Sequence, residues 1–491
     1  MSLLLRIAKG AAWTAGAQWV VQLTQFATSI VLARMLSPSD YGLVGLALVY
    51  TGFVTLVANL GMGPALIQRR TIDDGHICAA FWGTAAVSVI LFLFSVVAAP
   101  AVADFFNQPQ LVAIVRVTAI AILFSPLNSI LYSLLSRQMA FRSLALVDVA
   151  GAIASQGAAL IFAVSGWGVW AIVIAQLANP LVRLLLLFRL NRWLPSWRFD
   201  PQRFAALFAF SSHLIGFNFV NYFARNLDKV IIGRFLGSAA LGYYDMSYQI
   251  MLKPLQNVSQ TISSPLLPAL SSIQEEKAQA SEVYRRVTTY IALITFPMMT
   301  GIALVAGDFV PIVLGNKWEP AVPIIRILCF VGAIQSVGST VGDVYLSQGR
   351  SDIMLKWALA TTPLFGAAFY LGTTWGIVGV AICYAAVNVP LWITAHHIAN
   401  RLIGLEPTRF WRSLLPATVI SLIMAAAVIT TQMLCDFYNI DPRVRLGTAI
   451  ATGVACCGLL LFVSSNQDIG AIRKRALEQL RPLLLRCRAT R

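Results

Sequence analysis

Hydrophobic residues fall in long runs along this chain, interrupted at short intervals by clusters of Gly, Pro, Asn and basic residues. A helix crossing a bilayer needs about 20 mostly apolar residues. Runs of that length lie near 11–35, 42–67, 78–99, 110–136, 144–164, 168–190, 204–236, 242–270, 286–306, 320–346, 353–373, 377–402, 411–434 and 444–464. The pattern predicts an all-α polytopic membrane protein of about 14 helices. The pattern also repeats. LVAIVRVTAIAILFSPLNS (111–129) lines up with AVPIIRILCFVGAIQSVGS (321–339), setting Arg116 against Arg326 at an offset of 210. GWGVWAIVIAQLANP (166–180) lines up with GIVGVAICYAAVNVP (376–390) at the same offset, and VLARMLSPSDYG (31–42) with IIGRFLGSAALG (231–242) at 200, pairing Arg34 with Arg234 and Gly42 with Gly242. Each repeat holds six spans, an even number, so both share one orientation and form parallel lobes related by an axis along the membrane normal. The expected division is a lobe over 1–200, a lobe over 201–405, two extra helices over 406–466 and a basic tail over 467–491.

Composition removes the soluble classes. The chain is 58% hydrophobic and only 11% charged over 491 residues, more apolar than any surface could cover in water. Its net charge of +16 follows from topology. With the N-terminus cytoplasmic, inner segments hold 25 of the 36 Lys and Arg, outer loops hold only Lys317, Arg443 and Arg445, and 8 lie within spans. That asymmetry places both termini inside. The basic residues are spread over short loops rather than gathered on one face, so no nucleic-acid partner is expected. The basic N-terminal segment runs straight into the first span without a small-residue cleavage site, and is expected to remain. In the tail, Ile469, Ile472, Ala476, Leu480 and Leu483 recur at helical spacing among arginines. It either lies on anionic inner-leaflet lipids or simply stops the last span with positive charge.

Chemistry-bearing motifs are sparse. Of seven cysteines only Cys435 falls in an outer segment, so no disulfide framework is expected. Cys456 and Cys457 share a span as packing residues, and the adjacent His396 and His397 point to different helix faces, which argues against a shared metal. No phosphate loop, dinucleotide fingerprint or zinc spacing is present, and no cofactor, metal or catalytic residue is expected. The outer loops are too short for a catalytic domain.

What the spans carry is charge. An arginine at a helix centre costs roughly 3 kcal/mol on insertion scales, so cations placed in register suggest a lined cavity that favours an anionic guest. The seventh span holds Arg225 and Lys229 on one face, with Asp228 a neighbour of Arg225. Arg225 lies roughly 16 Å from the outer end, near mid-bilayer. Asp228 either salt-bridges to Arg225 or Lys229, which leaves one cation over, or serves ion coupling. Lys253 stands beside Pro254, which can kink its helix. Arg116 and Arg326, and nearer the surface Arg34 and Arg234, either line the cavity and its rim or snorkel to the outer interface. Asp148 and Asp245 are expected in first turns of helices, where carboxylates complement the dipole. Eight cations against four acids within the spans is the opposite of what a pump for cationic drugs needs.

LDKVIIGRFLGSAALGYYDMSYQI (227–250), LARMLSPSDYG (32–42) and the twelve-plus-two span layout resemble the polysaccharide transporter family. These are the Wzx-like flippases of the multidrug/oligosaccharidyl-lipid/polysaccharide exporter superfamily. The likeness runs over essentially the whole chain, and its L-D-x-x-x-I-G-x-x-L-G-x-x-x-L-G-x-Y pattern (227–244) is shared by transporters of many glycans. The resemblance implies a non-enzymatic flippase in a bacterial inner membrane. It would move an undecaprenyl-pyrophosphate-linked oligosaccharide outward between two rocking lobes, with a polysaccharide polymerase and co-polymerase as neighbours. On that reading Arg225, Lys229 and Lys253 hold the pyrophosphate and Arg116 and Arg326 line the exit, since arginine's planar fork pairs with phosphate oxygens. A peptidoglycan-precursor flippase and a drug or cation antiporter of the same superfamily are the alternatives.

Overall fold

The computed structural model describes residues 3–463 apart from 70 and 198. The amphipathic tail and Cys487 lie outside the described residues. Within them the chain is helical, with no strand. The helices are α1 (Leu3–Met35), α2 (Pro38–Ala58), α3 (Met62–Gln68), α4 (Asp74–Phe106), α5 (Leu111–Arg137), α6 (Phe141–Val164), α7 (Val169–Leu190), α8 (Pro201–Phe235), α9 (Gly237–Ser263), α10 (Leu266–Ser272), α11 (Lys277–Phe309), α12 (Ala321–Gly338), α13 (Val341–Ser347), α14 (Ser351–Gly372), α15 (Gly376–Leu402), α16 (Pro407–Phe437) and α17 (Pro442–Val463). Each short helix continues a long one, so the fourteen expected spans correspond to fourteen helical segments. Three are broken where continuity was expected. The second bends at Leu60 and Gly61, both at positive φ; the eighth breaks before Pro265 and the tenth at Ser339–Thr340.

The repeat is visible element by element. α4 and α11 are both 33 residues long, and in both repeats the second long helix, α2 or α9, is followed by a seven-residue continuation, α3 or α10. Arg116 and Arg326 are each the sixth residue of their helix, α5 or α12, and Arg34 and Arg234 are each the last but one, in α1 and α8. The alignment of charges is therefore an alignment of helix registers.

Ten stretches of the described residues are long and apolar enough to cross a membrane, and one of these, Ser351–Leu402, contains both α14 and α15. α1, α8 and α9 fall outside that set because Gln, Asn, Ser and charged residues interrupt them. Polar side chains at membrane depth need protein or water rather than lipid. α1 and α8 are also the matching first helices of the two repeats.

The chain divides into two compact units, Met1–Asp245 and Met246–Arg491. In the first, α1 packs on α6, α6 on α7 and α4 on α5, while α8 packs on α2, α3 and α4. In the second, α11 packs on both α12 and α16, and α16 on α17. A buried core there joins Tyr284, Ile291, Val337, Tyr345, Ala399 and Phe410. α17 is further tied by Arg445, whose guanidinium pairs with the buried Asp308 of α11 and with Asp436 of α16. Arg445, counted among the outer-loop charges, is a clamp between α11, α16 and α17.

Candidate functional site

In the first unit α2 approaches the start of α9 closely. A Cβ on Gly42 would lie 1.7 Å from the Ser238 carbonyl oxygen, and one on Gly242 would lie 1.9 Å from that of Pro38. Ser238 and Gly242 are the 200-residue counterparts of Pro38 and Gly42, so each repeat offers the other the same patch, as in a two-fold interface. The motif glycines exist for this close approach. Nearby, α8 is fastened to α2 by Tyr222, whose hydroxyl donates to the Val49 carbonyl at 2.9 Å over the space left by Gly52.

One turn beyond Tyr222 lies the charge cluster of α8. Arg225 is exposed and, among the described residues, has no ion-pair partner. It is ten residues from the end of its helix, about 15 Å along the axis. Asp228 is buried at 7% exposure and accepts the Lys229 backbone N–H at 2.8 Å. It bridges to neither Arg225 nor the Lys229 ammonium. Lys229 instead pairs with Asp245 of α9, Nζ to Oδ1 2.6 Å, and the buried Tyr244 phenol is a further side-chain neighbour of Asp228. Asp245 is thus a counterion two turns into α9, and the first-turn expectation for it fails because α9 begins at Gly237 rather than near 242.

Asp148 is likewise a partner rather than a cap. α6 begins at Phe141, and Asp148 meets Arg183 of α7 at 3.0 Å, with that guanidinium over the Tyr132 ring at 5.4 Å. Neither pairing is legible from sequence spacing, since the partners lie 16 and 35 residues apart on different helices.

The matched arginines behave differently. Arg116 turns along α4 and donates from Nε to the Val96 carbonyl at 3.3 Å, ten residues from the α4 terminus. Arg326 lies near Gly307, where a Cβ would come 3.2 Å from its Nη2, only two residues from the end of α11. Arg116 thus reaches a carbonyl well inside α4 and Arg326 lies beside the end of α11, and both are exposed. Arg234 stacks over Phe105, 5.5 Å from the ring centroid, and Arg34 is exposed.

In the second unit, Lys253 is exposed on α9, which stays α-helical through Pro254. The expected helix break falls three turns later. His396 is fully buried, held by a 2.8 Å contact from Nδ1 to the Trp392 carbonyl and packed among Trp392, Phe410 and Trp411. The six described cysteines are free, and among the described residues no group of His, Cys, Asp or Glu could hold a metal.

A family model described as polysaccharide biosynthesis protein matches residues 31–323. The chain is 27% identical to the teichuronic acid biosynthesis protein TuaB of Bacillus subtilis, covering 94% of this chain and 96% of that one. It is 24% identical to the lipopolysaccharide biosynthesis protein WzxC of Escherichia coli, over 79% and 80%. To the succinoglycan biosynthesis transport protein ExoT of Rhizobium meliloti it is 26% identical, over 74% of each chain. Among solved structures, the lipid II flippase MurJ in an inward closed conformation superposes with a TM-score of 0.73 at 14% identity, covering 96% and 99%. An inward-facing multidrug MATE transporter of the MOP superfamily gives 0.60 at 17%, over 78% and 94%. At these identities the structures speak for the fold alone.

Proposed function

The chain belongs to the polysaccharide biosynthesis protein family, and we propose from that premise that it is a flippase for lipid-linked oligosaccharides, moving repeat units of an exopolysaccharide, capsule or O-antigen across a bacterial inner membrane. The observation that carries this reading is the end-to-end match to TuaB, 94% of one chain against 96% of the other, seconded by relatives named for lipopolysaccharide and succinoglycan biosynthesis. The cargo is an undecaprenyl-pyrophosphate oligosaccharide with its negative charge on the pyrophosphate. The peptidoglycan precursor is favoured by fold likeness only.

Arg225 is the residue on which the headgroup assignment chiefly rests. A guanidinium near mid-bilayer without a carboxylate partner is costly unless something anionic visits it, and its fork suits phosphate oxygens. Lys229 and Arg116 in the first unit, and Lys253 and Arg326 in the second, are the further proposed ligands, with Arg34 and Arg234 at the rim. Both termini face the cytoplasm, and a polymerase and co-polymerase take over the delivered units.

Purified protein in liposomes, supplied with labelled undecaprenyl-pyrophosphate oligosaccharide, is expected to move label between leaflets, with Arg225→Ala inserting normally but moving at most about a tenth as much. Wild-type protein that inserts but moves no glycan overturns the reading; equal movement by Arg225→Ala removes Arg225 from it.

A further inference from the structure

We propose that the first unit holds an anionic glycerophospholipid, of the phosphatidylglycerol class, in a groove at the end of α7, with the lipid phosphate between Arg189 and Arg192. The inference goes beyond the cargo reading. It rests only on α7 crossing the membrane, which its length and apolarity support.

The groove has a volume of about 410 Å³ and is lined by Leu185, Leu186, Phe188, Arg189 and Arg192. That lies within the roughly 300–1,000 Å³ of ordinary small-ligand sites. Leu185, Phe188, Arg189 and Arg192 are spaced as residues of one helix face, and since α7 ends at Leu190, Arg192 stands on the connection beyond it. Leu185 is 61% exposed and Phe188 36%, so the apolar wall is open to lipid. Two guanidiniums follow the wall at its polar end. Acyl chain and then phosphate is the order in which a phospholipid presents its own parts.

The two cations are not committed elsewhere. Asp73 and Asp200, at the starts of α4 and α8, both take Arg203, at 2.7 and 3.0 Å, and Asp74 accepts the Trp193 indole N–H at 2.7 Å. Among the described residues neither Arg189 nor Arg192 has an ion-pair partner. The connection that carries Arg192 is nevertheless held. Trp193 packs against the buried cluster that includes Leu187, the Trp82 indole of α4 donates to the Ser196 carbonyl at 2.8 Å, and the Trp197 ring lies 4.7 Å from that of Trp82. Backbone on both sides of the groove is fixed while both guanidiniums stay exposed. The C-terminus of α7 contributes partial negative charge at the same end, so the guanidiniums alone hold an anion there.

The lining selects among lipids. It contains no acidic side chain, so the ammonium of a phosphatidylethanolamine would meet two guanidiniums and no partner. Phosphatidylglycerol offers the same phosphate beside a neutral glycerol, and arginine's planar fork can take two phosphate oxygens at once. On the proposed orientation α7, the sixth span, ends at the inner leaflet, where a basic pocket at the membrane boundary fits an anionic headgroup. The counterparts of Arg189 and Arg192 at the 210-residue offset are Ala399 and Leu402, which carry no charge. The pair therefore belongs to the first repeat alone and is not a feature of both lobes.

The test is native mass spectrometry of detergent-purified, full-length protein titrated with dioleoyl-phosphatidylglycerol or dioleoyl-phosphatidylethanolamine. Wild type is expected to retain phosphatidylglycerol more tightly, and Arg189→Gln with Arg192→Gln to weaken that binding by about fivefold for each arginine removed. Arg401→Gln with Arg412→Gln, the same loss of charge at exposed positions of the second unit, should bind like wild type. Arg189→Lys with Arg192→Lys should recover part of the affinity, since charge is kept and the fork is lost. Equal binding by wild type and the glutamine pair overturns the site, as does equal weakening in the second-unit control or equal retention of the two lipids. Farnesyl pyrophosphate that displaces phosphatidylglycerol from wild type but does not bind the glutamine pair assigns the groove to the cargo headgroup and overturns the lipid assignment. Should the glutamine pair fail to fold, Arg192→Gln alone, on the connection beyond the helix, replaces it, and wild-type affinity there overturns the inference. Glycan movement in liposomes is read separately, so failure of either reading leaves the other standing.

Discussion

Gly42 and Gly242 show how little freedom a single position can have. A methyl group on either would sit less than 2 Å from a backbone oxygen across the helix crossing, and backbone cannot swing away as a side chain can. Gly42→Ala is therefore expected to destabilise the protein by about 2–3 kcal/mol, the cost of overpacking, read as a lowered midpoint of thermal unfolding in detergent. Gly45→Ala serves as the comparison. Its added Cβ meets only the Leu241 side chain at 3.5 Å, ordinary contact, and the midpoint should hardly move. Equal effects at the two sites would mean that the α2–α9 crossing is looser than its geometry. At this scale the sequence announced which residues matter but not what they touch. Arg225, Lys229 and Asp228 were visible as charges in an apolar run. The partner of Lys229 was not, because Asp245 sits sixteen residues on and across a turn at Gly237, and Asp148 gave no sign of Arg183.

Helices in this protein are anchored at their ends by short-range polar chemistry that the apolar runs do not specify. α4 starts at an N-cap, Asp73, whose carboxylate accepts the His76 N–H at 2.9 Å and also receives Arg203 of α8 at 2.7 Å. The His76 N–H first, then the His76 ring, and then the charge of Arg203 hold the Asp73 carboxyl below its ordinary value. A carboxyl lowered in the folded state stabilises at pH above its unfolded value, and that contribution disappears as pH falls through the folded value. Asp73→Ala should lower the thermal midpoint by about 2 °C near neutral pH, and the gap from wild type should close as acid carries the pH down through the lowered carboxyl. A gap that stays constant through acid would show that the carboxylate charge contributes nothing. Element existence and type were legible throughout, since fourteen apolar runs became fourteen helical segments. The breaks at Leu60–Gly61, before Pro265 and at Ser339–Thr340 were not, because an apolar run looks the same whether its helix is continuous or interrupted.

On the scale of the whole molecule, orientation is the property that charge counting predicts and membrane chemistry can check. In a variant with its cysteines replaced, Asn316→Cys, between α11 and α12, should react with an impermeant maleimide applied outside the inner membrane. Gln274→Cys, between α10 and α11, should react only after the membrane is opened. Both side chains are exposed, so access depends on the compartment. The reverse pattern would invert the topology and place the α8 cations on the opposite route of access.

The sequence alone determined that this is a membrane protein of fourteen helices, built by parallel duplication, with cations in register. Those properties are set by apolar run length and by periodic spacing, both of which are local. Tertiary structure decided which charges are neutralised and which stand open. It gave Lys229 to Asp245, Arg183 to Asp148 and Arg445 to Asp308 and Asp436, and left Arg225 without an acidic partner among the described residues. Ion pairing between helices depends on distances of a few ångströms between segments far apart in the chain, and no spacing rule within one helix contains that information.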